Sequence, residues 1–119
     1  MAHERFHMIV RTAILEGTVA TADKAEFDQH MRTTVVAALG RYPGLVKAVL
    51  REIAEADADA PAVYMAFDLY FHSLADMHAA LASPVRQAVR AELGQIMPRF
   101  QGRVYHLVFD ETAQTGTGT

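Results

Sequence analysis

At 119 residues the chain is sized for one domain with a core of its own, needing no disulfide staples. Its 51% hydrophobic content excludes a disordered chain, and its lack of cysteine excludes disulfide and thiolate chemistry. A net charge of -3 with interspersed signs speaks against a nucleic-acid partner. No apolar run nears the roughly 20 residues of a membrane span, and Met1 to Phe6 carries no signal-peptide pattern. The absence of cysteine fits a reducing compartment, so a cytoplasmic location is expected.

The elements follow in chain order. Phe6 to Glu16 alternates, with Met8, Val10 and Ile14 on one side and His7, Ile9, Arg11 and Ala13 on the other, which predicts a strand. After a loop, Asp23 reads as an N-cap with Glu26 in the capping-box place. Phe27, Met31, Val35, Ala38 and Leu39 then form the apolar stripe of a helix, stopped by Gly40 and Pro43. Leu45 to Ile53 is a second strand, and the acidic stretch ending at Pro61 is a hairpin loop. Ala62 to Phe71 alternates sharply: Val63, Met65, Phe67, Leu69 and Phe71 oppose Tyr64, Ala66, Asp68, Tyr70 and His72. Ser73 caps a short helix with Asp76 three residues on, and Ser83-Pro84 restarts the helix, whose stripe of Val85, Val89, Leu93 and Met97 runs to Pro98. Arg103 to Glu111 is the last strand, with Tyr105, Leu107 and Phe109 opposed to Val104, His106 and Val108.

The order β-α-β-β-α-β predicts an α+β, ferredoxin-like domain over residues 1–111, with residues 112–119 as a polar, disordered tail. Its antiparallel four-stranded sheet is ordered 4-1-3-2, with both helices on one face. If the more apolar parity of each strand meets the helices, the open face presents His7, Arg11, Tyr64, Asp68, Tyr70, His72 and His106 among apolar neighbours. That mixture suits two sheets packed face to face, so a homodimer closing a dimeric α+β barrel is expected.

The stretch "EFDQHMRTTVVAALGRYPGL" (Glu26 to Leu45) resembles the first helix and Pro-Gly corner of the EthD family of dimeric α+β-barrel proteins. "FDLYFHSLADMHAALASP" resembles that family's strand, capped helix and small-residue helix end, and the likeness extends over nearly the whole chain to about Glu111. Family members carry an aromatic pair and a His-x-Pro before the corner. Here those places hold His30-Met31 and Val35-Val36-Ala37, so the family's histidine has no counterpart. The resemblance implies a small hydrophobic or aromatic ligand, carbonyl- or lactone-bearing, handled without a metal or organic cofactor. The pocket is expected inside the dimeric barrel, between sheet and helices, with the paired open faces enclosing the candidate residues.

Within that frame Asp68, His72 and His106 are the candidate catalytic residues, because a carboxylate or a neutral imidazole can move the proton that isomerase or lyase chemistry beside a carbonyl requires. Arg11 is a candidate anchor for a substrate carboxylate, and equally a salt-bridge partner of Asp68 across a shared face. Tyr64, Tyr70 and His30 are candidate substrate contacts; as structure alone, the tyrosines fill the interior, His72 and His106 are hydrogen-bonded, and His30 pairs at the surface with Arg32. The chain has no cysteine and no metal site is expected; no phosphate-binding or serine-hydrolase motif is present. The expected function is a cofactor-independent enzyme acting on a small metabolite. A non-catalytic ligand-binding barrel and a cofactor-free monooxygenase stand as alternatives, since fold alone does not choose.

Overall fold

The computed structural model describes residues 7–116. Strand β1 (Ile9–Val19) is followed by helix α1 (residues 21–39), strands β2 (Lys47–Glu52) and β3 (Val63–Phe71), helices α2 (Leu74–Leu81) and α3 (Val85–Gly94), a single 3-10 turn (Met97–Arg99) and strand β4 (Phe100–Asp110). The strands form one antiparallel sheet in the order β2-β3-β1-β4, as the connection rules require for this sequence of elements. The predicted start of the first strand at Phe6 lies outside the described residues. No helix among them is long and apolar enough to cross a membrane.

β1 runs further than its alternation suggests. Gly17 pairs with Gly102, and Thr18 and Val19 continue the ladder to Gln101 and Phe100. A Cβ on Gly17 would stand 2.8 Å from Gly102 Cα, and closer still to the Gln101 carbonyl oxygen. Only two glycines allow the backbones to meet there. The strand therefore consumes the expected loop, and α1 begins at Thr21 behind an uncapped Ala20. Asp23 lies inside the first turn rather than at the cap.

α1 is α-helical over Thr21–His30, π-helical over Met31–Val35 and α-helical again over Val36–Leu39. The π segment has a reason in the spacing of the stripe. Phe27, Met31, Val35 and Leu39 recur every fourth residue, and each such step in an α-helix drifts about 40° around the axis. The wider π turn takes that drift back. All four side chains consequently stay buried against the sheet. Gly44, at φ 76°, then makes the corner after Pro43, in a conformation that favours glycine.

Ser73 caps α2 as read, its hydroxyl accepting from the Asp76 amide at 3.1 Å. Ser83 does not cap α3. Its Oγ turns back to donate to the Ala80 carbonyl at 2.6 Å, and Pro84 takes the capping place.

The core lies between the sheet and the helices, centred on Phe27, Met31, Met65 and Phe71, each 0% exposed. Two strand parities are the reverse of expectation. In β3 the side of Met65, Phe67, Leu69 and Phe71 faces the helices as predicted. Its register partners Leu15, Ala13, Arg11 and Ile9 must share that side, as must Val104, His106 and Val108 opposite them on β4. Val10, Thr12 and Ile14, with Tyr105, Leu107 and Phe109, take the open face instead. Arg11 and His106 thus lie on the helix side of the sheet, and the expectation that Arg11 shares a face with Asp68 is corrected.

Candidate functional site

Between the sheet and the helices lies a cavity of about 160 Å³. Its floor is Arg11 and Ala13 of β1, Phe67 and Leu69 of β3, and His106 of β4. Val35, Leu39 and Tyr42 close one side, and Leu81, Arg86, Val89, Arg90 and Leu93 close the other. The walls follow directly from local structure. The π turn keeps Val35 and Leu39 aimed at the sheet, while α3 places Arg86 and Arg90 one turn apart, beside its apolar residues Val89 and Leu93.

Charge in the cavity is one-signed. Arg11 is half-buried, and its pKa is lowered by loss of water and then by the neighbouring Arg86. Burial pushes the Tyr42 hydroxyl up, against the opposing pull of Arg86, Arg11 and Arg90, so it stays protonated and able to donate. His106 is open to solvent on its outer side. Even so, burial of the remainder, and then Arg11 and Arg86, lower its pKa from 6.5. At neutral pH this imidazole is uncharged and can accept a proton.

Of the seven candidate residues, the structure brings two together here, Arg11 and His106. Asp68 is 2% exposed on the opposite face, where it accepts from Thr12 Oγ1 at 2.7 Å and pairs with Arg51. Tyr70 stands on that face too, with Lys47 Nζ over its ring at 4.6 Å. Both border a shallow hollow of about 550 Å³, edged by Phe109, Asp110 and the first tail residues. Residues 112–116 carry no helix or strand; 117–119 lie outside the described residues.

Tyr64 sits where the β1–β3 register slips between Leu15 and Glu16, which turns its ring toward α1. There it stacks edge-on to Phe27 at 5.6 Å, donates to Asp28 and accepts from Lys24. His30 donates from Nε2 to the Glu92 carbonyl at 2.8 Å, tying α1 to α3, and Arg32 pairs with Glu52 rather than with His30. His72 is exposed, one residue beyond β3. None of these lines the cavity.

Sequence reasoning missed Tyr42, Arg86 and Arg90. The usable signal was present: two arginines four apart, flanking the stripe of the last helix, and an aromatic residue immediately before the Pro-Gly corner. No group of three potential metal ligands occurs among the described residues.

The network at Asp68 makes a testable claim about stability. Asp68→Ala orphans the buried Thr12 hydroxyl and frees Arg51, whose own exposure softens that second loss. The expected cost is about 2 kcal/mol, read as a lower urea midpoint at unchanged slope. Unchanged stability with lost turnover would instead support the catalytic role expected from the sequence.

No family model matches the sequence, and no curated protein matches it. Solved structures do. An EthD family protein from Bacillus halodurans superposes with a TM-score of 0.71 at 17% identity, covering 88% of this chain and 99% of that one. A dimeric protein of ferredoxin-like fold from Bacteroides fragilis gives 0.62 at 12% identity, covering 87% and 95%. SnoaB, a cofactor-independent oxygenase from Streptomyces nogalater, gives 0.53 at 18% identity, covering 92% and 95%. With superpositions that cover 87–92% of it, the chain has the ferredoxin-like α+β fold that it shares with an EthD family protein.

Proposed function

We propose that the chain is a cofactor-independent enzyme performing acid–base chemistry on a small carbonyl, lactone or aromatic metabolite held between sheet and helices. The observation that carries this reading is the cavity: apolar walls, with Arg11, Tyr42 and a neutral His106 converging on one space. Its volume of about 160 Å³ matches the size of cavity that accepts benzene, so the ligand is a single ring or its acyclic equivalent.

The chemistry follows from the groups present. Neutral His106 takes a proton from the carbon beside the carbonyl, and the electron pair left behind moves onto the carbonyl oxygen as an enolate. The Tyr42 hydroxyl and the Arg11 guanidinium stabilise that oxygen. Protonated His106 then returns the proton to another carbon of the same ligand, completing an isomerisation. A second reading, cofactor-free monooxygenation, draws on the fold likeness to SnoaB. The carbon of the same enolate would then bond to dioxygen, and the resulting peroxide would lose water, leaving one oxygen atom on that carbon as a carbonyl.

Incubation with single-ring lactones, phenols and keto acids, followed by mass spectrometry and an oxygen electrode, separates these readings. A product of unchanged mass with no oxygen uptake is expected. Oxygen consumed in step with substrate would favour the monooxygenase, and tight binding without product would leave a ligand-binding barrel.

The proposal includes a homodimer that joins open faces into a barrel. Leu107 and Phe109 of that face are 44% and 49% exposed, which suits burial against a second copy. Light scattering is expected to give about twice the 13.1 kDa of one chain, and a mass of 13.1 kDa would overturn it. A cytoplasmic location belongs to the same reading, supported by the cysteine-free composition.

A further inference from the structure

Seven of the described arginines fall into two groups, with the exposed Arg41 in neither. Arg32, Arg51, Arg99 and Arg103 each rest on a carboxylate: Glu52, Asp68, Glu26 and Glu16 respectively. Arg11, Arg86 and Arg90 line the cavity, and among the described residues no carboxylate lines it with them or pairs with them. A chain with a net charge of -3 thus gathers three cations around a ring-sized internal space and, among the described residues, lines it with no counterion for them. Keeping a partly dehydrated guanidinium beside two others costs stability unless an anion arrives to satisfy them.

We infer that the ligand of this cavity is an anion, a single-ring carboxylate whose charged group is gripped by Arg86 with Arg11, while Arg90 draws it in from the exposed mouth. This rests on the cavity being the site, as proposed above, and adds the charge of what enters it. A planar guanidinium meets a carboxylate through two parallel hydrogen bonds, and apolar Phe67, Leu69 and Leu93 suit the ring behind it. The arrangement also ties ligand charge to the proton acceptor. Around His106 the charged and titratable groups are Arg11 on β1, Arg86 and Arg90 on α3, and Tyr42 before the corner. A bound carboxylate offsets the guanidiniums and makes His106 more basic, whereas a neutral ligand does not.

The test uses benzoate and benzamide, equal in ring and size and different in charge. Chemical-shift titrations of the full chain are expected to show benzoate binding at least about tenfold tighter than benzamide, with shifts at cavity-wall residues. Arg86→Gln is expected to abolish that preference and to leave benzamide affinity within about twofold. Arg90→Gln, altered at an exposed position, is expected to weaken benzoate alone, and Arg32→Gln, outside the cavity, to change neither. The His106 pKa is expected to rise on adding benzoate and to stay in place on adding benzamide. Equal affinity for the two probes, or a benzoate preference surviving in Arg86→Gln/Arg90→Gln, would overturn the anion inference while the site itself stands. No shift with either probe would overturn both.

Discussion

Turnover by His106→Gln is expected to fall by about 10²- to 10⁴-fold on whichever single-ring compound the wild-type chain converts, the loss that follows removal of a positioned general base. Glutamine keeps the side chain polar and of similar length but cannot accept and return a proton. Because His106 is exposed on its outer side, the melting temperature should move by no more than about 2 °C. Binding of an unreactive ring should persist, since the apolar walls and the arginines are untouched. The pH profile carries the same assignment. The wild-type kcat/KM, which reports the free enzyme, should climb as His106 deprotonates, with a midpoint below the 6.5 of an ordinary histidine because partial burial, and then Arg11 and Arg86, disfavour its protonated form. Full activity in His106→Gln would remove the base from this residue and leave Tyr42 as the remaining titratable group of the wall.

The second large effect concerns the ladder and not the site. Gly17→Ala forces a methyl group into the β1–β4 crossing, against the Gln101 carbonyl and 2.8 Å from Gly102 Cα, at a backbone angle of 155° that L-residues rarely adopt. Crowding and strain together are expected to cost about 3 kcal/mol. For a domain of this length that lowers the melting temperature by roughly 12 °C. Gly102→Ala meets the Glu16 carbonyl in the mirror arrangement, so it should cost a similar amount. The double variant should lose less than the sum, because the first substitution has already opened the crossing. A wild-type melting temperature in Gly17→Ala would show that the two strands part at that end without penalty.

Element order and sheet order were legible because each element carries a local signal: alternation in β3, a stripe in α1, a serine cap at α2. The parity of β1 and β4 was not. Both sides of β1 are apolar, Ile9, Ala13 and Leu15 against Val10 and Ile14, so alternation cannot say which side meets the helices. β3 settles it through register, and register is a non-local fact. The error moved Arg11 and His106 from the open face to the cavity. It kept them together, since Ala13 and His106 are direct partners and Arg11 lies two residues from Ala13 on the same side. Asp68 parted from them because β3 was read correctly and β1 was not. Arg86 and Arg90 escaped notice because a helix sequence shows which residues flank a stripe, but not how near the sheet that flank comes.

The π segment of α1 has a consequence for comparing this chain with others. A helix wound in that way holds one residue more than a plain α-helix joining the same two ends. Positions counted backward from Pro43-Gly44 stay in step with a plain helix as far as Val36 and slip by one beyond Met31. Aligned to a plain α-helix without a gap inside Met31–Val35, residues before Met31 are equated with ones that point in different directions.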